Sequence, residues 1–267
     1  MLIIAFTIFI LLLLIAIMRF SFFIPGTNGL PVLMYHNIDS ALPKDDLNVL
    51  PKIFEQHLQH LLRKGYTTIG FSDLCAYLQN IKPLPPKPVL ITFDDGHKNN
   101  YTLMYPLLHK YNCRGNLFIV SNFIEMNGIK SSPGKYISAE ELQSMDPAYI
   151  EYGLHSFDHV DYNKLDEAGL EADIKKSKEQ LTNLGIKFFP CFAYTYGSYP
   201  KKDPIKRNIL FDVLKRNNVV AAFRIGNRVN KLPFENNLLL KRIYIRGTDS
   251  LFEFGIKLIK GRVKLFG

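Results

Sequence analysis

Along most of this chain, short continuous apolar runs alternate with longer segments in which apolar residues recur at helical spacing. Short apolar runs such as Val89–Phe93 and Tyr149–Leu154 have the length and composition of buried strands. Longer segments between them have helical spacing, and the clearest is Asp166–Leu184, which Gly185 ends. Strands that alternate with helices predict parallel βαβ units, and seven or eight units fit an α/β domain built as a (β/α) barrel.

The same pattern places the remaining elements. Further strands are predicted at Pro31–His36, Gly115–Val120, Phe188–Tyr194, Val219–Phe223 and Leu238–Ile245, and further helices at Phe54–Gly65, Ser72–Gln79, Tyr101–Tyr111, Ile205–Asn217 and Leu251–Ile259. In a parallel barrel, functional side chains lie where strands end. His36, Asp94, His155 and Tyr196 all fall at such positions, so we expect them at one edge of the barrel.

The first 24 residues form an apolar segment that differs from the rest of the chain. No charged residue interrupts Leu2–Met18, and the segment through Ile24 has roughly the 20 residues that span a bilayer as a helix. We therefore predict one transmembrane anchor over residues 1–24, a linker over 25–30 and a single domain over 31–267. A cleaved signal peptide is the alternative, although no basic residue precedes the run and no small-residue cleavage pattern follows it.

Charge and cysteine content narrow the possible functions. The 33 Lys and Arg and 24 Asp and Glu give a net charge of +9. A basic surface favours polyanions or anionic headgroups as neighbours, but solvated lysines are the favoured explanation. The chain contains no block of basic residues interleaved with aromatic residues, so its sequence does not indicate nucleic-acid binding. Cys75, Cys113 and Cys191 are widely spaced, which predicts buried thiols rather than a disulfide framework.

Two short polar strings follow predicted strands and carry the candidate chemistry. Thr92-Phe93-Asp94-Asp95-Gly96 presents adjacent carboxylates, and His155-Ser156-Phe157-Asp158-His159 presents two imidazoles four residues apart. A turn is the structural alternative for the first string, since Asp and Gly favour turns. Together the strings predict a divalent-metal site of two histidines and one carboxylate, with one coordination position open for water. The second carboxylate is then available as a general base.

Both strings resemble the first two motifs of the polysaccharide deacetylase (NodB-homology) family of carbohydrate esterases. The resemblance covers about residues 31 to 245. It implies that Asp94 is the base and that Asp95, His155 and His159 hold Zn²⁺ or a similar divalent ion. It also implies a distorted, incomplete (β/α) barrel of about seven strands, and removal of N- or O-acetyl groups from a sugar polymer.

A third string, Phe192-Ala193-Tyr194-Thr195-Tyr196-Gly197, is similar to a variant in members that act on poly-N-acetylglucosamine. By this resemblance the backbone N–H of Tyr196 helps to stabilise the oxyanion, and an aromatic turn is the structural alternative. The usual Arg of this motif is absent, and Leu240–Arg246 lacks the usual general-acid His. His36 is the candidate for that acid. Three other histidines, His57, His60 and His109, are expected at the surface, and His97 has no assigned role.

The sequence as a whole predicts a membrane-anchored, metal-dependent hydrolase that removes acetyl groups from N-acetylated cell-surface polysaccharide, with an Asp base activating metal-bound water. The alternatives are a catalytically weak sugar-binding relative of the same fold, and an amidase acting on another acetylated substrate. The expected partners are the polysaccharide and the membrane. A polymer outside the cell favours an extracytoplasmic domain, although Arg19 weakly favours the opposite orientation.

The basic C-terminal segment leaves two interpretations open. Leu251–Phe266 mixes apolar residues with Lys257, Lys260, Arg262 and Lys264. A basic amphipathic helix can lie on anionic lipid, but the last helix of a barrel followed by a frayed end is the favoured interpretation.

Overall fold

Strands and helices alternate along the chain from residue 29 onward. The structure, a computed structural model, describes residues 2–19, 29–40, 46–126 and 134–263. The strands are β1 (Gly29–Leu30), β2 (Val32–Tyr35), β3 (Asn37–Ile38), β4 (Asn48–Val49), β5 (Thr67–Ile69), β6 (Pro88–Phe93), β7 (Gly115–Ile119), β8 (Ile150–Leu154), β9 (Cys191–Ala193), β10 (Ala221–Ile225), β11 (Asn230–Lys231) and β12 (Leu240–Tyr244). The α-helices are α1 (Leu2–Arg19), α2 (Pro51–Arg63), α3 (Phe71–Leu78), α4 (Tyr105–Lys110), α5 (Ser121–Met126), α6 (Ala139–Ser144), α7 (Glu167–Asn183), α8 (Pro204–Arg216) and α9 (Leu251–Lys260).

Seven parallel strands pair edge to edge into a closed barrel, in the order β2–β12–β10–β9–β8–β7–β6. The pairs from Val32↔Leu90 to Tyr35↔Phe93 join β2 to β6 and close the ring. The predicted (β/α) barrel of about seven strands is confirmed, and it is closed, whereas an incomplete barrel was expected. Closure satisfies backbone groups that two open edges would leave unpaired. β5 pairs with the first half of β6, from Pro88 to Leu90, whereas β7 pairs with the last two residues of β6, Thr92 and Phe93.

Alternation along the strands separates two apolar layers. Leu90 and Phe223 belong to the layer inside the barrel, whereas Ile91 and Phe93 belong to the layer between the strands and the helices. Because successive side chains point to opposite faces of a strand, Asp94 continues the inward set of β6. The charged edge of the barrel therefore stands directly above a packed apolar interior.

The helices begin and end close to the predicted residues because their capping signals are local. Asp166 caps α7 by accepting a hydrogen bond from the Gly169 N–H, and Ser138 forms the expected capping box with Glu141 on α6. The predicted strand over Phe188–Tyr194 is shorter, since β9 begins only after Pro190, which has no N–H to donate to a ladder. The predicted helix over Tyr101–Tyr111 begins as a π-helical turn, Asn100–Met104, before α4.

The N-terminal apolar segment forms α1, and its described side chains from Ile4 to Ile15 are largely exposed. Within the described ranges, no helix is both long and apolar enough to cross a bilayer. The anchor predicted over residues 1–24 and the linker over 25–30 extend into residues 20–28, which lie outside the described residues. The anchor therefore stays a prediction.

The three thiols are buried and free, as predicted. The Cys75 and Cys191 sulfur atoms lie 4.0 Å apart inside the barrel, and burial raises the pKa of Cys113 to about 11. α9 packs its Phe254 and Leu258 into the core, which confirms the last barrel helix; the end of the predicted tail, residues 264–266, lies outside the described residues.

One surface prediction was wrong, because His57 is buried on the inner face of α2. It follows Phe54 at helical spacing, so the same periodicity that buries Phe54 turns the imidazole inward. Its Nδ1 lies 3.0 Å from the Tyr35 hydroxyl, and its ring stacks on Phe254 with 3.9 Å between ring centroids. Burial lowers the pKa of His57 to about 3. His109 is exposed as expected, and His60 is half-buried.

This buried imidazole should make the protein less stable in mild acid. The pKa of His57 is about 3 in the folded state and near 6.5 in the unfolded chain, so the unfolded chain binds the proton first. The full stability is present above pH 6.5 and declines as the pH falls toward 3. Between pH 7 and pH 5.5 we expect a loss of about 1 kcal/mol in unfolding free energy, measured by urea denaturation.

The variant His57→Gln should lack this part of the pH dependence. His109→Gln, which removes an exposed imidazole, should keep it. Equal pH profiles for His57→Gln and the wild type would show that His57 titrates normally in the folded protein.

Candidate active site

The carboxyl ends of the barrel strands bring the predicted site residues to one edge. His36 follows β2, Asp94 and Asp95 follow β6, and His155 follows β8. Tyr196 lies in the 3-10 turn Thr195–Gly197 after β9. The closed ring turns these strand ends toward each other, so residues from distant parts of the sequence meet above the apolar interior.

Asp95, His155 and His159 form a triad whose ligand atoms all lie within 4.8 Å of one another. The Asp95 Oδ1 atom is 3.5 Å from His155 Nε2 and 3.3 Å from His159 Nε2. This oxygen is buried and has no hydrogen-bond partner among the described residues. A buried carboxylate oxygen left without a donor, between two imidazole nitrogens, fits a divalent cation.

A backbone hydrogen bond fixes the ring of His155. Its Nδ1 lies 2.8 Å from the Ala193 carbonyl oxygen, so Nδ1–H donates and the Nε2 lone pair faces the triad. Burial lowers the pKa of His155, but Asp94 and Asp95 outweigh burial and hold it above its ordinary value. The two carboxylates therefore attract positive charge to this point of the barrel.

The residues that present the triad adopt strained backbone conformations. Asp95, Ser156, His159 and Tyr196 have φ angles of 72°, 71°, 54° and 57°, in the left-handed region that residues other than glycine rarely enter. Each such residue costs on the order of 1–3 kcal/mol and persists only where its surroundings impose it. Four of the nine positive-φ residues other than glycine in the described part of the chain therefore lie in the turns that present the candidate ligands and Tyr196.

Asp173 of α7 holds the turn that carries the histidines. Its carboxylate accepts hydrogen bonds from the Ser156 hydroxyl at 3.0 Å, the Phe157 N–H at 3.2 Å and the Tyr162 hydroxyl at 2.6 Å. The sequence interpretation missed it, because α7 was identified only by its apolar spacing. The available signal was a carboxylate on the same helical face as Leu170.

Loss of Asp173 should weaken metal binding without changing the ligands. We expect Asp173→Ala to lower the affinity for Zn²⁺ by roughly 10-fold or more, since the turn between the two histidines loses its anchor. Competition with a chromogenic chelator measures this affinity. Asp166→Ala removes a carboxylate from the N-terminus of the same helix and should bind Zn²⁺ like the wild type. Unchanged affinity in Asp173→Ala would show that the turn holds its shape unaided.

Asp94 is buried and paired on one oxygen. Its Oδ1 accepts a hydrogen bond from Arg242 Nη1 at 2.5 Å, while its Oδ2 lies 3.7 Å from His36 Nε2 and 3.9 Å from His155 Nε2. Burial raises the pKa of Asp94, but Arg242, His155 and His36 outweigh burial and lower it. Asp94 is therefore ionised at neutral pH, with one oxygen left to accept a proton.

Arg242 supplies the guanidinium that the third motif lacks. An Arg was expected near Ala193, whereas Arg242 comes from β12 and points into the barrel. β12 lies beside β2, and β2 lies beside β6, so closure of the ring brings Arg242 to Asp94. A charged residue at an inward position of a buried strand was the signal that could have identified it.

Two further polar residues near the triad have different surroundings. His97 Nε2 lies 3.2 Å from Asp95 Oδ2, so this histidine, which had no assigned role, contacts the oxygen that faces away from the triad. Asp158 lies between the two histidines in sequence but is exposed, and its Oδ1 accepts a hydrogen bond from Asn122. Asp158 therefore does not join the buried carboxylates.

A cavity of about 510 Å³ opens beside the triad. Its lining comprises His159, Val160, Asp161, Lys164, Leu165 and Tyr196. Tyr196 is 66% exposed, and its ring packs edge-on against that of His159 with 4.6 Å between centroids. The triad thus has a solvent-accessible side with an aromatic wall, large enough to receive a sugar unit.

Comparisons with known proteins agree with the motifs. The family model described as polysaccharide deacetylase matches residues 81–208. YxkH of Bacillus subtilis (strain 168), a protein named as one of the polysaccharide deacetylases, is 32% identical over 170 residues, which cover 64% of this chain and 57% of YxkH. The poly-beta-1,6-N-acetyl-D-glucosamine N-deacetylase of Staphylococcus aureus (strain MRSA252) is 26% identical over 213 residues, which cover 76% of this chain and 69% of that protein.

The fold also has a counterpart among solved structures. The Streptococcus pyogenes deacetylase PplD in complex with acetate superposes with a TM-score of 0.72 at 23% identity, over 84% of this chain and 95% of that chain. The fold and the site are those of a (β/α) barrel with a candidate metal triad at the carboxyl ends of its strands. Residues 81–208 match the polysaccharide deacetylase family model, and this match agrees with the family and the enzyme class predicted from the motifs.

Proposed function

We propose that this protein removes acetyl groups from an N-acetylated cell-surface polysaccharide of the poly-N-acetylglucosamine class. The arrangement of Asp94 beside the triad carries the proposal, since a proton acceptor and a candidate metal site share one accessible edge. The name of the Staphylococcus aureus relative supports the choice of substrate. The reaction is hydrolysis of an amide: a C–N bond breaks, a C–O bond forms, and acetate and an amine leave.

Asp95, His155 and His159 would hold the metal ion, and Zn²⁺ suits two imidazole nitrogens and one carboxylate oxygen. When bound, the ion polarises the acetyl carbonyl and lowers the pKa of water at the site. The hydrogen bond from His155 to Ala193 keeps the imidazole in the tautomer that such binding requires.

Asp94 acts as the general base. Arg242 occupies Oδ1 and keeps the carboxylate ionised, which leaves Oδ2 to accept the proton of the attacking water. A buried carboxylate without Arg242 would favour its neutral form, in which it could not act as a base. Arg242 therefore positions and ionises Asp94 without contacting the acetyl group.

His36 donates the proton to the leaving amine. Its Nε2 lies 3.7 Å from Asp94 Oδ2, and Asn100 Nδ2 holds its backbone carbonyl at 2.9 Å. Burial lowers the pKa of His36, and Asp94 and Asp95 only partly oppose this. The imidazole is therefore neutral at rest. It takes from Asp94 the proton that Asp94 removed from water, and it then gives this proton to the amine nitrogen as the C–N bond breaks. The backbone N–H of Tyr196 would stabilise the negative charge that develops on the acetyl oxygen when water adds to the carbonyl carbon.

Removal of His36 should slow turnover while the metal stays bound. We expect His36→Gln to lower kcat by roughly 10²-fold or more, because the amine must then leave without a positioned acid. Acetate release measures the rate, and atomic emission measures the bound metal. His109→Gln, at an exposed position on α4 away from the catalytic edge, should match the wild type. A normal kcat in His36→Gln would assign the acid to another group.

Acetate release from defined oligosaccharides tests the function itself. Full-length protein in neutral detergent, with added Zn²⁺, should deacetylate β-1,6-linked N-acetylglucosamine oligomers, and a chelator should abolish the reaction. Binding of the oligomers without acetate release would instead indicate the sugar-binding relative. Release from small acetylated amines but not from the oligomers would indicate an amidase.

Residues 1–24 would hold this domain at a membrane, with the catalytic edge outside the cytoplasm. The exposed apolar side chains of α1 from Ile4 to Ile15 support this location, because they need an apolar environment. Protease treatment of intact cells should cleave the domain, and a protected domain would place it in the cytoplasm. Recovery of a mature chain without these residues would establish a cleaved signal peptide.

A further inference from the structure

A basic cavity of about 560 Å³ lies on the outside of the barrel beneath the segment that joins β10 to β12. Its charged lining consists of Arg224, Arg228, Lys231, Lys241, Lys260 and Arg262, opposed by Glu235. Arg224 and Lys241 are register partners on β10 and β12 and point outward, on the opposite face from Arg242. The cavity is therefore separate from the catalytic edge.

Part of the lining of this cavity lies toward the opposite end of the barrel from the active site. Ile243 is level with Leu33, and Leu33 with Ile91, so Lys241 lies near the start of β6 whereas Asp94 follows its end. Lys260 ends α9, and the helices of a (β/α) barrel run back toward the start of the strands. Lys241 and Lys260 thus lie toward the end that faces away from the catalytic edge. Arg224 is nearer to the carboxyl ends of the strands, because it follows the Phe223↔Ala193 pair and its guanidinium lies 5.6 Å from the centre of the Tyr199 ring.

Four of these cations form no ion pair in the part of the chain that the structure describes. Among the described residues, no ion pair joins Arg224, Arg228, Lys231 or Lys241 to a carboxylate. The Arg224 Nε atom is buried without a hydrogen-bond partner in the described part of the chain. Burial lowers the pKa of Arg228, and the positive charge of the nearby Arg262 lowers it further. An anion from outside the protein would satisfy these groups.

An apolar groove of about 650 Å³ lies beside the cavity, between α9 and the C-terminal end of α2. Its apolar lining includes Tyr66, Phe252, Ile256 and Ile259, and its rim carries lysines at positions 64, 87 and 260. Phe252 and Ile259 are 56% and 48% exposed. Lys260 lines both the groove and the basic cavity, so the two form one continuous surface.

The chain enters the domain at this same surface. β1 pairs antiparallel with β11, placing Gly29 opposite Lys231. The contact is so close that a β-carbon on Gly29 would lie 2.0 Å from the Asn230 carbonyl oxygen. Gly29, the first described residue after α1, therefore lies beside Asn230 and Lys231 in the wall of the basic cavity.

We propose that this end of the barrel docks on a bilayer that contains anionic phospholipid. The phosphodiester headgroups occupy the basic cavity, and Phe252 and Ile259 reach the boundary between headgroups and acyl chains. A soluble polyanion would match the positive charge of the cavity, but it would leave the apolar groove uncovered. It would also not explain why the domain begins, after the apolar α1, at this same surface. Docking in this orientation turns the catalytic edge away from the membrane, toward a polymer outside it.

Hydrogen–deuterium exchange tests the docking with the full-length protein in lipid nanodiscs. Discs of phosphatidylcholine alone are compared with discs that also contain phosphatidylglycerol. We expect exchange over residues 221–241 and 251–260 to slow by roughly tenfold in the anionic discs, and high salt to reverse this protection. Exchange at the catalytic edge should be the same in both discs.

Two double variants with the same change in net charge distinguish binding by this surface from a general effect of the protein's net charge. Lys231→Glu combined with Lys241→Glu should abolish the protection. Lys202→Glu combined with Lys206→Glu makes the same change in charge at exposed positions near the start of α8 and should retain it. Phe252→Ser should reduce the protection of residues 251–260 in the anionic discs.

Two results would overturn the proposal. One is equal exchange of the wild type in both kinds of disc. The other is protection of residues 221–241 by soluble polyphosphate, with none from phosphatidylglycerol, which would identify the cavity as a site for an anionic polymer. Neither result depends on acetate release, so the docking and the proposed deacetylation can fail independently.

Discussion

Asp94→Asn should lower kcat by about 10²–10⁴-fold while the protein keeps its metal. The amide has the shape of the carboxylate, and its oxygen can still accept the hydrogen bond from Arg242, but it cannot take a proton from water. Asp94 is not a member of the triad, so metal content should stay at the wild-type level. Acetate release and atomic emission on the same preparation measure the two quantities.

Asp158→Asn is the matched control for this result. Asp158 lies in the histidine turn but is exposed and bonded to Asn122, so its variant should retain nearly full activity. A near wild-type rate in Asp94→Asn, together with an inactive Asp158→Asn, would move the general base to the histidine turn and refute the mechanism proposed above.

Replacement of both His155 and His159 by Ala should remove bound metal and activity together. The two imidazoles supply two of the three candidate ligands, and Asp95 alone would hold a divalent ion only weakly. After dialysis against a weak chelator, the wild type should retain about one equivalent of metal and the double variant almost none. Circular dichroism should show that both proteins are folded.

A variant with the same number of lost imidazoles controls for the general loss of histidine. His60→Gln combined with His109→Gln removes two imidazoles away from the catalytic edge and should keep the full metal content. If the His155 and His159 double variant still bound one equivalent tightly, the metal would lie elsewhere and the triad would need another explanation.

The Arg and the general-acid His that the motifs lack are relevant to the alternative interpretation, in which the protein is a sugar-binding relative. The motifs lack an Arg near Ala193 and a His within Leu240–Arg246, and these two absences are what supported the alternative of a catalytically weak protein. Arg242 occupies the place beside Asp94, and His36 lies 3.7 Å from the same carboxylate. The site therefore contains a charged partner for the base and a candidate acid, drawn from other strands.

Local signals in the sequence were sufficient for the elements and for the candidate ligands. Capping residues such as Ser138 and Asp166 act on the N–H groups of the next turn, so they are visible in a short window of sequence. The length of each apolar run and the polar residue that follows it depend on one strand alone. For this reason Asp94, Asp95, His155 and His159 could be predicted as neighbours before the structure was known.

Contacts between distant strands could not be predicted in the same way. Arg242 is 148 positions from Asp94 in the sequence, and their ion pair exists only because β2 bridges β12 and β6. Asp173 and His57 have helical spacing that suits either a polar or an apolar neighbour, and the identity of that neighbour depends on how the helix packs. The closure of the ring likewise depends on the register between β2 and β6.

The sequence by itself determined the order of strands and helices, the polar strings at the strand ends and hence the class of chemistry, because these follow from backbone propensity and local side-chain pattern. The tertiary structure alone decided which oxygen of Asp94 is free, which Arg ionises it, and which carboxylate holds the histidine turn. It also decided that basic and apolar surfaces meet at the far end of the barrel. These features depend on distances of a few ångströms between residues far apart in the chain, which only the packing of the whole barrel sets.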